Sequence, residues 1–346
     1  MNDLLNIQKR NNGEQQGFDR SVLHPNVKSM LNEYEHGKPI GEPSRSGNDK
    51  LNEVFAWKRT FTYTWTGLPN AGKTQFFNFM ALVKSIHDDW KWAIWSPEQL
   101  GSEKQDGRVR INANDIYDDL IFSLKGVTPY KHMAEKYKLP RLDLADYMEA
   151  IEWIKQRFVV FDPPERRYRV LIDNFKWAYE KFGFDGFLID PFKNLKDDNS
   201  GLTTDKYLDD VFSDIKEFAI DTNSVFNIIA HPKSDKDYRN KDGSYRVVTQ
   251  RDLLGGSAWD NNMDGIFSIY RPNAHKNIQD PAVHFYNLKM RKQNLVAKRG
   301  VYEEISFDYR TNRYYFEHKC PIDGQKSIEF KETENIDPYE HPEAPF

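Results

Sequence analysis

The sequence predicts an α/β fold whose central β-sheet is mainly parallel and is covered by helices on both faces. From residue 48 to about residue 318, short runs of apolar and aromatic residues alternate with longer amphipathic segments. Such alternation is typical of β-α-β units, in which each helix crosses back over the sheet so that successive strands run in parallel. A second observation agrees: a glycine-containing loop ending in Gly-Lys-Thr follows the first predicted strand and precedes a predicted helix.

Short, strongly apolar runs define the predicted strands, which cover residues 61–65, 92–95, 158–161, 186–190, 225–230, 265–270 and 282–290. Apolar residues at helical spacing define the predicted helices, which cover residues 74–87, 115–124, 144–156, 170–182 and 206–221. Near the end, "EEISFDYRTNRYYFEH" contains two aromatic-rich runs around a Thr-Asn turn. We expect these runs to form a C-terminal hairpin that joins the sheet in antiparallel fashion.

The chain divides into three predicted parts. Residues 1–45 are a polar tail or linker, in which "VKSMLNEYEHGK" predicts one short helix with its apolar residues on one side. That helix either docks on another surface or belongs to a frayed tail. Residues 46–318 form the predicted folded domain. Residues 319–346 are predicted to be a disordered acidic tail, because positions 321–346 hold seven acidic residues against two lysines.

Composition excludes several classes of protein. Cys320 is the only cysteine among 346 residues, which excludes an internal disulfide framework and fits a reducing compartment. No run approaches the roughly 20 apolar residues that span a bilayer, and the N-terminus lacks a signal-peptide core. We therefore expect a soluble, cytoplasmic protein with no membrane partner. The net charge of −4 argues against broad coating of duplex DNA but leaves room for a short positive channel.

The loop in "TWTGLPNAGKTQFFNF" has the spacing of a phosphate-binding loop. Its glycines let successive backbone N–H groups point at phosphate oxygens, and the following helix adds its positive N-terminal end. Lys73 would contact the β and γ phosphates of ATP, and the Thr74 hydroxyl would bind Mg²⁺. The alternative is a chance glycine turn with an exposed lysine. The predicted nucleotide-binding residues of this loop are Gly67, Asn70, Ala71, Gly72, Lys73, Thr74 and Gln75.

Two carboxylates follow other predicted strands. Asp190 ends the apolar run "FDGFLID", at the kind of strand end where open α/β sheets bind ligands. We predict that it holds Mg²⁺ together with Thr74. Glu98 lies in "WSPEQ", just beyond the second predicted strand, and is our candidate for the group that orients or deprotonates the attacking water. An ordinary turn aspartate and a solvent-exposed loop glutamate are the alternatives.

Two further predicted strands end in residues that suit phosphate chemistry. His231 ends "VFNIIAH", where it would either sense the γ-phosphate by hydrogen bonding or merely terminate the strand. Lys289 and Arg291 lie on one side of the strand end in "HFYNLKMR". A guanidinium suits the charge on a transferring phosphoryl group, and such an arginine often comes from a neighbouring subunit. Otherwise this run is simply a basic strand edge.

Together these segments resemble the RecA-like ATPase motor of superfamily 4 hexameric helicases, which include DnaB-type replicative helicases, phage primase-helicases and Twinkle. The resemblance rests on six motifs in the family's order, namely "GLPNAGKT", "WSPEQ", "FLIDPFKNL", "IIAHPKS", "LLGGSAWDNNMDGIFSIYR" and "LKMRKQN". It implies that Glu98 is the catalytic glutamate and Asp190 the Mg²⁺ ligand. It implies further that Arg291, with Lys289 beside it, reaches the ATP of the next subunit. The DNA-gripping loop of the family matches Leu254, Gly255, Gly256 and Ser257.

The resemblance implies an ATP-dependent DNA helicase, in the form of a phage-encoded hexameric ring that moves 5′ to 3′ along single-stranded DNA at a replication fork in the host cytoplasm. A loop near residues 197–204 would be a second channel element, and the N-terminal helix would dock on a neighbouring subunit. The acidic tail would bind a primase, a polymerase or a single-strand-binding protein, or else be a plain disordered terminus. A RecA-like recombinase or strand-exchange mediator that forms ATP-regulated filaments on DNA is the alternative, because the same loop and aspartate serve it equally well.

Overall fold

The computed structural model describes residues 25–105, 108–195, 203–234 and 236–323. The chain forms two compact units, one ending at Pro39 and the other beginning at Ile40. The described part of the first unit contains helix α1 (Val27–His36), which has the predicted position and no buried residue. The side chain of Asn26 caps α1 by accepting a hydrogen bond from the Ser29 amide.

One sheet dominates the second unit. Within the described residues it contains nine strands in the spatial order β13-β12-β11-β10-β3-β9-β8-β4-β7. Six neighbouring strands are parallel, namely β10 (Gly265–Tyr270), β3 (Thr62–Thr66), β9 (Val225–Ile229), β8 (Gly186–Ile189), β4 (Trp92–Trp95) and β7 (Phe158–Val160). Three antiparallel strands extend the sheet beyond β10, namely β11 (Ala282–Met290), β12 (Tyr302–Asp308) and β13 (Arg313–Tyr315). The predicted parallel sheet is therefore confirmed, and its antiparallel part includes β11 as well as the predicted hairpin.

Helices cover both faces of this sheet, as predicted. One face packs against α3 (Lys73–Asp88), α4 (Asn114–Lys125) and α6 (Leu144–Lys155). The other face packs against α7 (Tyr168–Phe182), α8 (Thr204–Asp221) and α9 (Gly256–Asn262). Two short helices, α2 (Asp49–Val54) and α5 (Lys131–Tyr137), complete the set in the described residues. None of the described helices is long and apolar enough to cross a membrane.

Aromatic packing fixes the strand that leads into the phosphate-binding loop. The ring of Trp65 in β3 stacks on that of Phe285 at a centroid distance of 5.7 Å and lies 5.0 Å from that of Phe267. Its other neighbour, Phe77 in α3, lies 5.6 Å away at an interplanar angle of 75°. Because the Trp65 indole also donates to Asn227 of β9, the loop strand is tied to the strands on both sides of it.

Two small antiparallel pairs lie outside the main sheet. Strands β1 (Glu42–Pro43) and β2 (Ala56–Trp57) pair close to the start of the second unit. Strands β5 (Gly101–Gln105) and β6 (Arg108–Asn112) form a two-stranded hairpin between β4 and α4. The sequence patterns predict neither pair. On the hairpin, Val109 and Ile111 are exposed, so their alternation does not mark a strand buried in a core.

Candidate active site

Four parallel strands end at one edge of the sheet, and a predicted site residue follows each of them. Because all four strands run in the same direction, the loops after their carboxyl ends lie together, as in other open α/β sheets. These residues are Gly67 after β3, Glu98 after β4, Asp190 after β8 and His231 after β9. The fold therefore brings together four segments that are far apart in the sequence.

The backbone of the phosphate-binding loop requires glycine at two positions. Gly67 has a φ of 148°, and a Cβ atom there would lie 2.3 Å from the carbonyl oxygen of Ile269 in β10. Gly72 has a φ of 86° and ends the loop immediately before α3. No side chain caps the start of α3, so its first N–H groups face the loop without a competing partner from the cap residue. Asn70 also has a positive φ, of 59°.

Lys73 is held inside the loop that it serves. Its ammonium donates to the carbonyl oxygens of Gly67 and Leu68 at 3.1 and 2.9 Å, and the side chain is buried. Burial lowers the pKa of Lys73 to about 8, against the attraction of nearby Asp190. Lys73 therefore stays mainly protonated at neutral pH, and phosphate oxygens could replace the two carbonyls as its partners.

Asp190 joins two hydroxyl groups at the centre of the site. Its Oδ2 atom accepts hydrogen bonds from Thr74 at 2.7 Å and from Ser96 at 3.2 Å. Burial raises the pKa of Asp190 to about 6, although both hydrogen bonds favour the charged form. The predicted pairing of Thr74 and Asp190 is thus present in the geometry. Ser96, which lies in the "WSPEQ" motif, is an additional partner that the sequence interpretation did not single out.

Glu98 is held from the segment that follows Asp190. Its Oε1 atom accepts from the amide of Asn194 at 3.0 Å and lies 3.2 Å from the ammonium of Lys193. Burial alone would raise the pKa of Glu98, but these two contacts outweigh burial and lower it. Glu98 is therefore ionised at neutral pH, as a group that accepts a proton from water must be. The sequence interpretation assigned no role to Lys193 or Asn194, although both follow Asp190 closely.

His231 is a neutral imidazole in this environment. Burial lowers the pKa of His231 to about 4, and the positive charges of Lys73 and Lys193 lower it further. Electrostatic effects of Lys73, Glu98 and Asp190 on one another are also strong enough to shift their pKa values. All four predicted catalytic residues of this edge therefore lie within one electrostatic environment.

Gln75 and Tyr314 connect the phosphate-binding loop to the other side of the domain. The Gln75 amide donates to Ser123 of α4 at 3.4 Å, so its side chain is directed to that helix. The Tyr314 hydroxyl of β13 donates to the carbonyl oxygen of Gly72 at 3.4 Å. The C-terminal strands thus support the start of α3, a contact that could not be read from the motifs.

Lys289 and Arg291 lie at the opposite edge of the parallel strands. Strand β11 runs antiparallel to β10, and its last residue, Met290, pairs with Gly265 at the start of β10. The Lys289 ammonium donates to the carbonyl oxygen of Asp260, and the Arg291 guanidinium lies 3.6 Å from Asp264. The structure therefore does not bring these two cations to the phosphate-binding loop of their own chain.

The segment predicted to contact DNA leads into α9. Leu254 is 64% exposed, and Gly255 adopts a left-handed conformation with a φ of 66° just before the helix begins. A surface cavity of about 370 Å³ borders the next turn, lined by Arg251, Gly256, Ser257, Asp260 and Asn261. The other predicted channel element, residues 197–204, falls mostly outside the described residues, and of it only Thr203 and Thr204 are described.

Known proteins are similar to this chain in sequence and in fold. No family model matches the sequence. Over 245 residues the chain is 22% identical to the Twinkle homolog protein, chloroplastic/mitochondrial, of Arabidopsis thaliana, which corresponds to 68% of this chain and 31% of that protein. The chain thus spans about a third of the length of this relative.

Two solved structures superpose well on the chain. The first is an ATPase domain of the DnaB-like replicative helicase class, which gives a TM-score of 0.66 at 16% identity and covers 88% of this chain and 99% of its own. The second is a DnaB-like replicative helicase, described with its interactions with primase, which gives 0.62 at 16% identity, covering 90% and 71%. The structural neighbours of the chain are therefore ATPase domains of the DnaB-like replicative helicases, and the predicted RecA-like fold is confirmed.

Proposed function

We propose that this chain is an ATP-dependent DNA helicase, a ring-forming motor that hydrolyses ATP between subunits and moves along single-stranded DNA to unwind a duplex at a replication fork. The observation that carries the proposal is the division of the site. Lys73, Asp190 and Glu98 converge at one edge of the sheet, whereas Arg291 lies at the other. A chain that bears both halves at opposite edges completes its site only with another copy of itself. The similarity to DnaB-like ATPase domains and to Twinkle supports the same conclusion.

The nucleotide in this proposal is ATP with Mg²⁺. The backbone of the phosphate-binding loop and Lys73 would bind the phosphates, and Thr74 and Asp190 would hold the metal ion. Among the described residues no group of three or more His, Cys, Asp or Glu side chains could hold a metal ion alone. Mg²⁺ fits this donor set nonetheless, because it commonly binds one or two protein oxygens together with phosphates and water. When bound, the ion would neutralise charge on the β and γ phosphates.

The protein residues then have distinct tasks in hydrolysis. Glu98 is ionised and held by Lys193 and Asn194, so it would orient a water molecule and accept its proton. His231 is neutral, so it would exchange a hydrogen bond with the γ-phosphate without adding charge. Arg291 of one subunit would stabilise the negative charge of the phosphoryl group on the next, with Lys289 beside it.

Single-stranded DNA would bind at Leu254–Ser257, where backbone groups and a hydroxyl are available for phosphate contacts. We propose a hexamer that moves 5′ to 3′ in the cytoplasm, with α1 docked on a neighbouring subunit. The acidic C-terminal tail, which lies outside the described residues, would bind a primase, a polymerase or a single-strand-binding protein.

The proposal is tested by ATP hydrolysis and strand separation with and without single-stranded DNA. Lys73→Ala should lower DNA-stimulated kcat/KM by about 100-fold or more, because it removes a charge aimed at the reacting phosphates. Lys131→Ala, which changes an exposed lysine of α5 that lies 3.7 Å from Glu135, is the matched control. Wild-type protein that gave neither stimulation by single strands nor strand separation would contradict the helicase proposal.

A further inference from the structure

Asp252 has more polar partners than its position in a surface segment would require. It is 3% exposed, and its carboxylate accepts two hydrogen bonds from the Arg246 guanidinium, at 2.7 and 2.8 Å. The Lys236 ammonium contacts it at 3.1 Å, and the Thr249 amide and hydroxyl contact it at 2.9 and 3.0 Å. We call Lys236, Arg246, Thr249 and Asp252 the Asp252 cluster.

The Asp252 cluster gathers the whole segment between β9 and α9. Tyr238 lies in the middle of that segment, its ring beneath the Arg246 guanidinium at 4.7 Å and its hydroxyl bonded to the Lys233 carbonyl. The Arg246 amide also donates to the Tyr238 carbonyl at 2.9 Å. The two ends of the segment are thereby folded onto one buried carboxylate.

Backbone hydrogen bonds connect this cluster directly to the residues beside it. The Lys233 amide donates to the Asp252 carbonyl at 2.9 Å, and Pro232 forms an antiparallel bridge with Leu253. Pro232 follows His231 in the chain, and Leu253 precedes Leu254. His231, at the nucleotide edge, and Leu254, in the predicted DNA segment, are therefore each one residue away from the same pair of bridged residues.

We propose that Asp252 is a positioning residue of the motor, which holds Leu254–Ser257 in a fixed relation to His231 so that nucleotide and single-stranded DNA affect each other's binding. This inference rests on the proposed function. Asp252 touches neither ligand; it acts by keeping the bridge between Pro232 and Leu253 in place. Without its charge, the cations of the cluster lose their common partner, and the DNA segment is no longer fixed to the residue beside the γ-phosphate.

The test compares Asp252→Asn with Asp242→Asn in the full chain. Asp242 is an exposed carboxylate of the same segment, and the hydrogen bonds seen for it are to Ser244, so it is a matched control. We expect Asp252→Asn to reduce the stimulation of ATP hydrolysis by oligo-deoxythymidine by about fivefold or more, as expected when coupling between two sites is lost. Hydrolysis without DNA and the Kd of a fluorescent ATP analogue should remain at wild-type values, as should all properties of Asp242→Asn.

Reciprocity provides a readout that a purely structural role would not change. In wild type, a non-hydrolysable ATP analogue should alter the Kd for oligo-deoxythymidine, and in Asp252→Asn the ratio of the two Kd values should approach one. Arg246→Gln, at a partly exposed position, removes the paired hydrogen bonds but leaves Lys236 and Thr249, so it should give a partial loss.

Each outcome is decisive. Wild-type coupling in Asp252→Asn would overturn the inference, as would a parallel loss of thermal stability and DNA-independent hydrolysis in both Asp252→Asn and Arg246→Gln. Failure of the proposed function itself would appear in a different place, because wild-type protein would then show no response to single-stranded DNA.

Discussion

Asp190 is a buried carboxylate whose partners include two hydroxyl groups and a nearby cation. Its charged form gains hydrogen bonds from Thr74 and Ser96 but loses hydration, and the loss of hydration is the larger effect, since the pKa of Asp190 is raised to about 6. A residue with this balance suits a site that becomes more positive when a metal ion binds. The same balance makes the charged aspartate unfavourable for folding when nucleotide and metal ion are absent.

Asp190→Asn should therefore stabilise the nucleotide-free protein in a pH-dependent manner. The folded pKa of about 6 lies above the ordinary value of 3.8, so the penalty is absent below pH 4 and fully present above pH 6. The free energy of unfolding of Asp190→Asn minus that of wild type should rise from near zero at pH 4 to about 2 kcal/mol at pH 7.5. Urea unfolding in EDTA measures this difference. A difference that stayed constant with pH would contradict the assigned burial of charge.

Contacts between elements determine the shape of the phosphate-binding loop. Gly67 lies so close to Ile269 of β10 that the loop depends on the neighbouring parallel strand as well as on its own sequence. Gly243, in the segment after β9, also has a positive φ of 84°, but a Cβ atom there would have no neighbour within 4 Å. These two glycines separate the effect of backbone strain from that of a steric clash.

Gly67→Ala should weaken ATP binding by about tenfold or more, equivalent to about 1.4 kcal/mol, because the added methyl group pushes the loop away from β10. Gly243→Ala should destabilise the fold by about 1 kcal/mol through backbone strain and leave ATP binding unchanged. Titration with a fluorescent ATP analogue and thermal unfolding measure the two effects. Equal ATP affinity in Gly67→Ala and wild type would show that the loop does not depend on this close approach.

The elements that were predicted correctly are those with a strong apolar signal. Strands such as β4 and β10 are almost entirely buried, so their ends coincide with the ends of apolar runs. The hairpin of β5 and β6 was missed because it carries few apolar residues, and those at Val109 and Ile111 are exposed. The short helix α5 covers only Lys131–Tyr137, too few residues for a reliable period.

The candidate site was predictable to the extent that its residues follow strands. Lys73, Asp190 and Glu98 each follow a buried run, and parallel strands necessarily bring such residues to one edge. Ser96 and Asn194 were missed because their importance comes from a single hydrogen bond across the sheet, which no local pattern encodes. The position of Arg291 at the far edge follows from the antiparallel pairing of β11, which motif order alone does not specify.

At the scale of the whole molecule, the chain carries two incomplete halves of a hydrolytic site. The far-edge cations rest on α9: Lys289 donates to the carbonyl of Asp260, and Arg291 donates to that of Asn261. The same helix begins at Gly256, in the segment proposed to contact DNA. A neighbouring copy that offered its far edge to this nucleotide site would thus also bring its own DNA segment close to the shared interface.

Mixing two inactive variants tests whether the site is shared. Lys73→Ala should lack a working loop and Arg291→Ala a working arginine, so each alone should show little hydrolysis. In an equal mixture of exchanging subunits, roughly one quarter of the interfaces pair an intact loop with an intact arginine by chance, and DNA-stimulated hydrolysis should return in that proportion.

The control for the mixing experiment replaces Arg291→Ala with the double variant Lys73→Ala/Arg291→Ala, which supplies no intact loop and should restore nothing. Thermal unfolding of Arg291→Ala separates loss of the shared charge from loss of its contacts with Asp264 and Asn261. If the mixture were no more active than the mean of its parents while subunit exchange was demonstrated, each chain would have to complete its own site. Because β11 places Arg291 at the far edge of the sheet, that result would require a rearrangement of the antiparallel strands rather than a small side-chain movement.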